Sequence, residues 1–326
     1  VLSVLSHETK RPVVLVVQDN HTGARYHQEL GNLSRFPIYL YPSSEVSPYE
    51  QVLSSPDNIA AQMELLHQLD SKPQDPIIAV VSSRALTQRV LAPATLRQKS
   101  LKLTVGESID SNAIAKSLTD LGYSREALVT LRGEFSIRGD IIDIYPSYGL
   151  PVRIELFGDE IESMRIFNID SQRSIENSDV TVIPPRWWVV LESDEQTREA
   201  FTAKLRTVTE DACAKLPDQA SETLKEVMEG DLLALSQGRY PESVEYYAPY
   251  IESEFATLLS YLPDNALVVL DEWDSLLAAL SSYEERLTGA FNEGLETGRL
   301  LPLPRQLHQK ASEVGANLKK FQRIFV

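Results

Sequence analysis

A single cysteine, Cys213, stands in 326 residues, so no internal disulfide can form and a reducing compartment is expected. Its place between Ala212 and Ala214 in a helical pattern marks it for burial as a small hydrophobe rather than for reactivity. No apolar run approaches the roughly 20 residues that cross a bilayer, and no signal peptide is visible, so a cytoplasmic protein with no membrane partner is expected. The five histidines, His7, His21, His27, His67 and His308, are scattered without metal-ligand spacing. No G-x-S-x-G, no Cys and His constellation and no G-x-x-x-x-G-K-[ST] phosphate loop occurs, so no complete active site is proposed. Basic charge is short too: 31 Lys and Arg face 47 Asp and Glu, a formal net charge of -16. Such a field repels phosphate backbones, which disfavours unaided nucleic-acid binding and favours a protein partner.

What is present suffices for two or three domains with real cores, since 43% of the residues are hydrophobic. Arg11 to Asp19 and Pro76 to Ser82 are short, valine- and isoleucine-rich runs of the kind buried on both faces of a parallel sheet. Helical segments at 21–32 and near Asn58 to Leu69 intervene, which indicates an α/β layer. After about Leu91 the pattern changes. A strand from Lys102, an amphipathic helix over Ser111 to Leu121 and serial antiparallel strands up to Val182 indicate a small α+β domain inserted in the first. Pro184-Pro185 forms its exit, and Trp187 and Trp188 are expected to anchor the returning chain. Beyond it, Ser193 with Gln196 has capping-box spacing, Phe201, Leu205 and Val208 mark a helix face, and Pro217 and Gly230 are expected to break later helices.

The stretch from Arg132 to Ser174 concentrates strands, with five arginines in an acidic chain. In the strand Val152 to Phe157, alternation buries Val152, Ile154 and Leu156 and turns Arg153, Glu155 and Phe157 outward. An aromatic at a strand end is often tucked beneath a loop. Beside arginine on an open face, it has instead the composition of an interface hot spot. Ser136 to Ile144 reads as the neighbouring strand, with Gly139 as a bulge or close approach and Arg138 aimed outward before it. Asp140 and Asp143 are available to pair with Arg138 in a solvated cross-strand ion pair. The turn from Pro146 to Pro151 then reverses the chain, so that Arg138 and Arg153 can lie on adjacent strands.

A last apolar run, Leu267 to Leu270, ends in Asp271-Glu272. An acidic pair there resembles a Walker B element, in which Asp holds magnesium and Glu polarises water. The same residues equally suit the start of the following helix, and without a phosphate loop they have nothing evident to act on.

RGEFSIRGDIIDIYPS, RIELFGDEIESMRIFNIDSQRS, GRYPESVEYYAPYI and LLSYLPDNALVVLDE occur in this order, and together they resemble the N-terminal region of the bacterial transcription-repair coupling factors (the Mfd family) across essentially the whole chain. That region is similar to the excision-repair helicase UvrB. The resemblance implies an α/β fold: a degenerate RecA-like (P-loop-type) parallel-sheet domain with an inserted small α+β UvrA-binding domain. Residues 1–91 would form domain 1a, 92–184 domain 2 and 185–326 domain 1b. It further implies that domain 2 docks UvrA, the damage-sensing ATPase of excision repair, through Arg138, Arg153 and Phe157, with Gly139 and Glu155 as neighbouring candidates. No catalysis or cofactor is expected here, and Asp271 and Glu272 would be vestigial. RNA polymerase, DNA, ATP and magnesium would be engaged by regions outside this chain, including a C-terminal motor. UvrB would carry a long aromatic-rich hairpin at Tyr41 to Gln51, where this chain has a short loop, which favours the coupling-factor branch. The rival expectation is part of an ATP-dependent UvrB-type helicase, with Asp271 and Glu272 as working Walker B residues and the phosphate loop upstream of Val1.

Overall fold

The computed structural model describes residues 2–326 apart from 48, 51, 53, 72–75, 192 and 253. Pro48 and Gln51 of the short loop therefore lie outside the described residues. Among the described residues, a five-stranded parallel sheet runs in the order Gln322–Phe325, Leu267–Leu270, Val13–Val17, Ile78–Ser82, Ile38–Tyr41. The three central strands are buried at every position, as their Val-, Ile- and Leu-rich content suits strands covered on both faces. The fold is thus α/β.

Helix Asn20–Gly31 lies close on this sheet. A Cβ at Gly23 would sit 3.3 Å from the Leu40 side chain, so glycine sets the approach. Its N-terminus is capped by Asp19, which accepts from the Thr22 amide at 2.8 Å. Helix Pro56–Asp70 starts with proline at its first turn and buries Ile59, Met63, Leu66 and Leu69 in the main core. Trp187 and Trp188 enter the same core, as expected. Trp188 Nε1 donates to Gln62 Oε1 at 3.2 Å, while Gln62 Nε2 donates to Pro42 O and Gln88 Oε1, so a buried amide is satisfied on both sides.

Helices Glu195–Cys213 and Asp218–Ser236 pack together. Two local expectations are corrected here. The first helix is capped by Asp194, not Ser193, with the Asp194 carboxylate accepting from the Thr197 amide at 2.7 Å. Gly230 lies inside the second helix and does not break it.

The second sheet runs Ser174–Asn177, Glu160–Phe167, Val152–Phe157, Ile141–Tyr145, Glu134–Arg138, Ser124–Arg125. All its pairs are antiparallel except the last. Helix Ser111–Asp120 covers one face, packing Ile114 and Leu118 against Phe135, Ile142, Ile154 and Met164. A ribbon of Leu101–Thr104 with Val180–Ile183 closes the same core. Buried Tyr123 ties the sheet's turn to its exit segment, and half-buried Tyr240 ties helix Ser111–Asp120 to the rest of the molecule. Tyr123 Oη accepts from the Ser147 amide and donates to Pro184 O, both at 2.9 Å, and Tyr240 Oη donates to Asp120 O at 2.6 Å.

Candidate partner-docking face

The polar face of the second sheet is the one turned away from helix Ser111–Asp120. Val152, Ile154 and Leu156 are buried while Phe157 is 77% exposed, so the strand alternates as its sequence predicts and the ring projects into solvent. The expectation for Ser136 to Ile144 needs correction. It is a hairpin, not one bulged strand: Arg138 pairs with Ile141 across Gly139-Asp140, and Gly139 has φ +62°. A Cβ at Gly139 would meet nothing within 4 Å, so glycine is there for the turn rather than for a close approach. The next hairpin repeats the device. Phe157 pairs with Glu160 across Gly158-Asp159, where Gly158 also has φ +62°. Arg138 and Phe157 thus each precede a two-residue Gly-Asp turn at one end of the sheet, and Leu156 N donates to Asp140 O at 2.8 Å across it.

Arg138 and Arg153 do not lie on adjacent strands. The strand Ile141–Tyr145 separates them, and its Asp143 joins them. Asp143 is directly opposite Arg153 in register, and its side chain is wholly inaccessible to solvent. Arg153 Nε donates to Asp143 Oδ1 at 2.6 Å and Nη2 to Oδ2 at 2.9 Å, a bidentate pair. Arg138 Nη2 donates to the same Oδ2 at 2.5 Å. The solvated ion pair expected at Arg138 is therefore a buried carboxylate shared by two guanidiniums, with net charge +1. Asp140 sits in the turn.

Arg153 is further enclosed. Its Nη1 donates to Gln172 O at 3.2 Å, and its guanidinium lies 4.9 Å from the centre of the buried Phe167 ring. The hydrogen bonds to Asp143 raise its pKa above the usual arginine value, outweighing the opposing effect of burial. Gln172 holds a left-handed backbone at φ +58°, uncommon for a residue with a side chain. Its amide fixes that geometry by donating to Ile169 O at 2.7 Å and Val129 O at 3.2 Å. Glu155 is likewise engaged, accepting from Ser163 Oγ at 3.0 Å and pairing with Arg165 at 3.1 Å. Asp143 and Gln172 organise the face, yet periodicity alone marks neither. The sequence offers Asp143 only as a solvated partner for Arg138, whereas its bidentate bond to Arg153 follows from strand pairing.

Asp271 and Glu272 occupy the carboxyl end of Leu267–Leu270. Glu272 has a left-handed backbone at φ +52° and precedes helix Trp273–Glu296, with its carboxylate accepting from Ser275 Oγ at 3.3 Å. Asp271 lies beside Tyr26, whose phenol is made less acidic first by burial and then by that carboxylate. On the adjoining Val13–Val17 strand, the following helix start is already capped by the Asp19 carboxylate. There the Thr22 amide meets a protein carboxylate, as a helix N-terminus does when an internal anion caps it. Among the described residues, no cluster of three or more His, Cys, Asp or Glu could hold a metal ion. Nor is any described helix long and apolar enough to cross a membrane.

Residues 101–187, which include the whole of this face, match the family model of the UvrB interaction domain. The chain is 30% identical over 306 residues to the transcription-repair-coupling factor of Bacillus subtilis, covering 92% of this chain and 25% of that protein. It is 28% identical over 316 residues to the factor of Escherichia coli, covering 96% and 26% respectively. The chain belongs with the transcription-repair-coupling factors. A further member, from Myxococcus xanthus, is 31% identical over 286 residues, covering 83% of the chain and 23% of that factor. The chain spans about a quarter of the length of these coupling factors. Within that span, the Arg138, Asp143, Arg153 and Phe157 face falls inside the part recognised as the UvrB interaction domain.

Proposed function

We propose that this chain is the UvrB-like module of a coupling factor and recruits UvrA through the open face of its antiparallel sheet. The observation that carries this is a large aromatic, Phe157, held exposed on a sheet whose other face is a well-packed core, with cationic Arg138 at the same sheet end. A ring and a guanidinium presented together suit an apolar pocket beside a carboxylate, and the net acidity of the chain turns phosphate away. Residues 1–91 and 185–326 then form the degenerate RecA-like layer (domains 1a and 1b) that carries domain 2, residues 92–184. This module works without catalysis or a cofactor of its own in the cytoplasm. RNA polymerase, DNA, ATP and magnesium are engaged by other parts of the full-length factor. The test is titration of UvrA against the chain and its Arg153→Ala/Phe157→Ala double variant. Unchanged affinity in a folded double variant rules out this face.

The helicase reading has one observation on its side, an acidic pair at the carboxyl end of a parallel sheet, where α/β folds place ligands. Saturable magnesium-dependent ATP binding by a chain extended upstream of Val1, abolished by Asp271→Asn, would restore it. The left-handed backbone of Glu272 and its bond from Ser275 Oγ favour the docking reading.

A further inference from the structure

Resting on the docking reading, we propose that Asp143 is a positioning residue: it locks Arg153 inside the molecule and aims Arg138 outward, so that Arg138, not Arg153, delivers the charge to the partner. The two arginines differ in what they have left to offer. Arg153 commits three of its five N–H donors to Asp143 and Gln172, stacks on Phe167 and is 16% exposed. Arg138 spends one hydrogen bond on Asp143 and is 48% exposed. Extracting Arg153 toward a partner would strip a fully buried carboxylate of its bidentate donor, whereas Arg138 can receive an incoming carboxylate while keeping its bond to Asp143. Fixing Arg138 in advance also lowers the ordering cost of binding, because a long side chain is already held near its bound geometry. The occupant that fits is an acidic side chain beside an apolar pocket, meeting Arg138 and Phe157 at the hairpin end. Arg153 contributes only by setting the position and net +1 charge of the cluster.

Two measurements on the intact chain test this. The first is UvrA affinity by calorimetry for the unsubstituted chain, Arg138→Ala, Asp143→Asn, Arg153→Gln and the Asp143→Asn/Arg153→Gln pair. Arg138→Ala is expected to weaken binding roughly tenfold or more. Asp143→Asn and Arg153→Gln should each weaken it, and the pair should be no weaker than Asp143→Asn alone, because Arg153 acts only through that carboxylate. A multiplicative loss in the pair means that Arg153 touches UvrA itself and overturns the assignment. The second measurement needs no substitution: arginine-selective modification with phenylglyoxal, read by mass spectrometry with and without UvrA. Arg138 should be modified in the free chain and protected in the complex, while Arg153 stays unmodified in both. Arg153 modified and then protected like Arg138 overturns the assignment even if a variant fails to fold. An unsubstituted chain that does not bind UvrA removes the docking reading and this assignment together.

Discussion

Replacing Arg153 by alanine should loosen the antiparallel sheet far more than replacing Arg138, although both arginines bond the same carboxylate. Asp143 is wholly buried and receives three hydrogen bonds, two of them from Arg153. Arg153→Ala leaves that anion with a single donor from a half-exposed side chain and vacates the surface of Phe167. Removing one partner of a buried ion pair costs about 3 to 5 kcal/mol, because the remaining charge is still desolvated. Arg138→Ala leaves the bidentate pair intact and removes a half-exposed contact, worth about 1 kcal/mol or less. Hydrogen exchange followed by mass spectrometry reads this locally on the strands Ile141–Tyr145 and Val152–Phe157, without requiring the whole chain to unfold in one step. At about 1.4 kcal/mol per factor of ten, Arg153→Ala should cut protection there by a hundredfold or more, and Arg138→Ala by less than tenfold. Equal losses for the two variants, or no loss for Arg153→Ala, would refute the view that Asp143 is anchored chiefly from one side.

Phe157→Ala should leave stability within about 0.5 kcal/mol in a thermal scan, because the ring is exposed and supports no core, while UvrA affinity falls. Gly298→Ala should destabilise by about 2 kcal/mol or more in chemical denaturation: φ is +71° and the new Cβ would lie 1.9 Å from the Ala220 carbonyl oxygen, a backbone atom that cannot step aside. Burial, then Arg89, pushes His308 down from 6.5 to about 4, so its contribution to stability is present above pH 6.5 and is lost as pH falls through about 4. Denaturation midpoints of the unsubstituted chain should therefore fall across that window more steeply than those of His308→Gln.

Much of the fold can be read from residue patterning because its strands obey two clean rules. Val13–Val17 and Leu267–Leu270 are apolar throughout and Ile78–Ser82 is apolar up to its final serine because both faces are covered, and Val152–Phe157 alternates because one face is not. What escaped is set by contacts between segments or by turn chemistry. Gly139-Asp140 closes a hairpin, yet a lone glycine in a strand-like run also suits a bulge, and only pairing distinguishes them. The edge strand Gln322–Phe325 has one apolar pair and weak patterning, since an edge is stabilised by its neighbour as much as by burial. The site was half legible. Arg138, Arg153 and Phe157 stand out by residue type, but their separation by one strand and their unequal freedom come from Asp143 and from the Gln172 carbonyl 19 residues after Arg153. Ser193 lost the helix cap to its neighbour because Asp194, not Ser193, is positioned to accept from the Thr197 amide.

The most direct test of the docking account is calorimetric titration of UvrA into this chain beside its Phe157→Ala variant. The account predicts saturable binding by the unsubstituted chain and at least roughly tenfold weaker binding by the variant at equal stability. No binding by the unsubstituted chain, or equal affinity for the two, would contradict it.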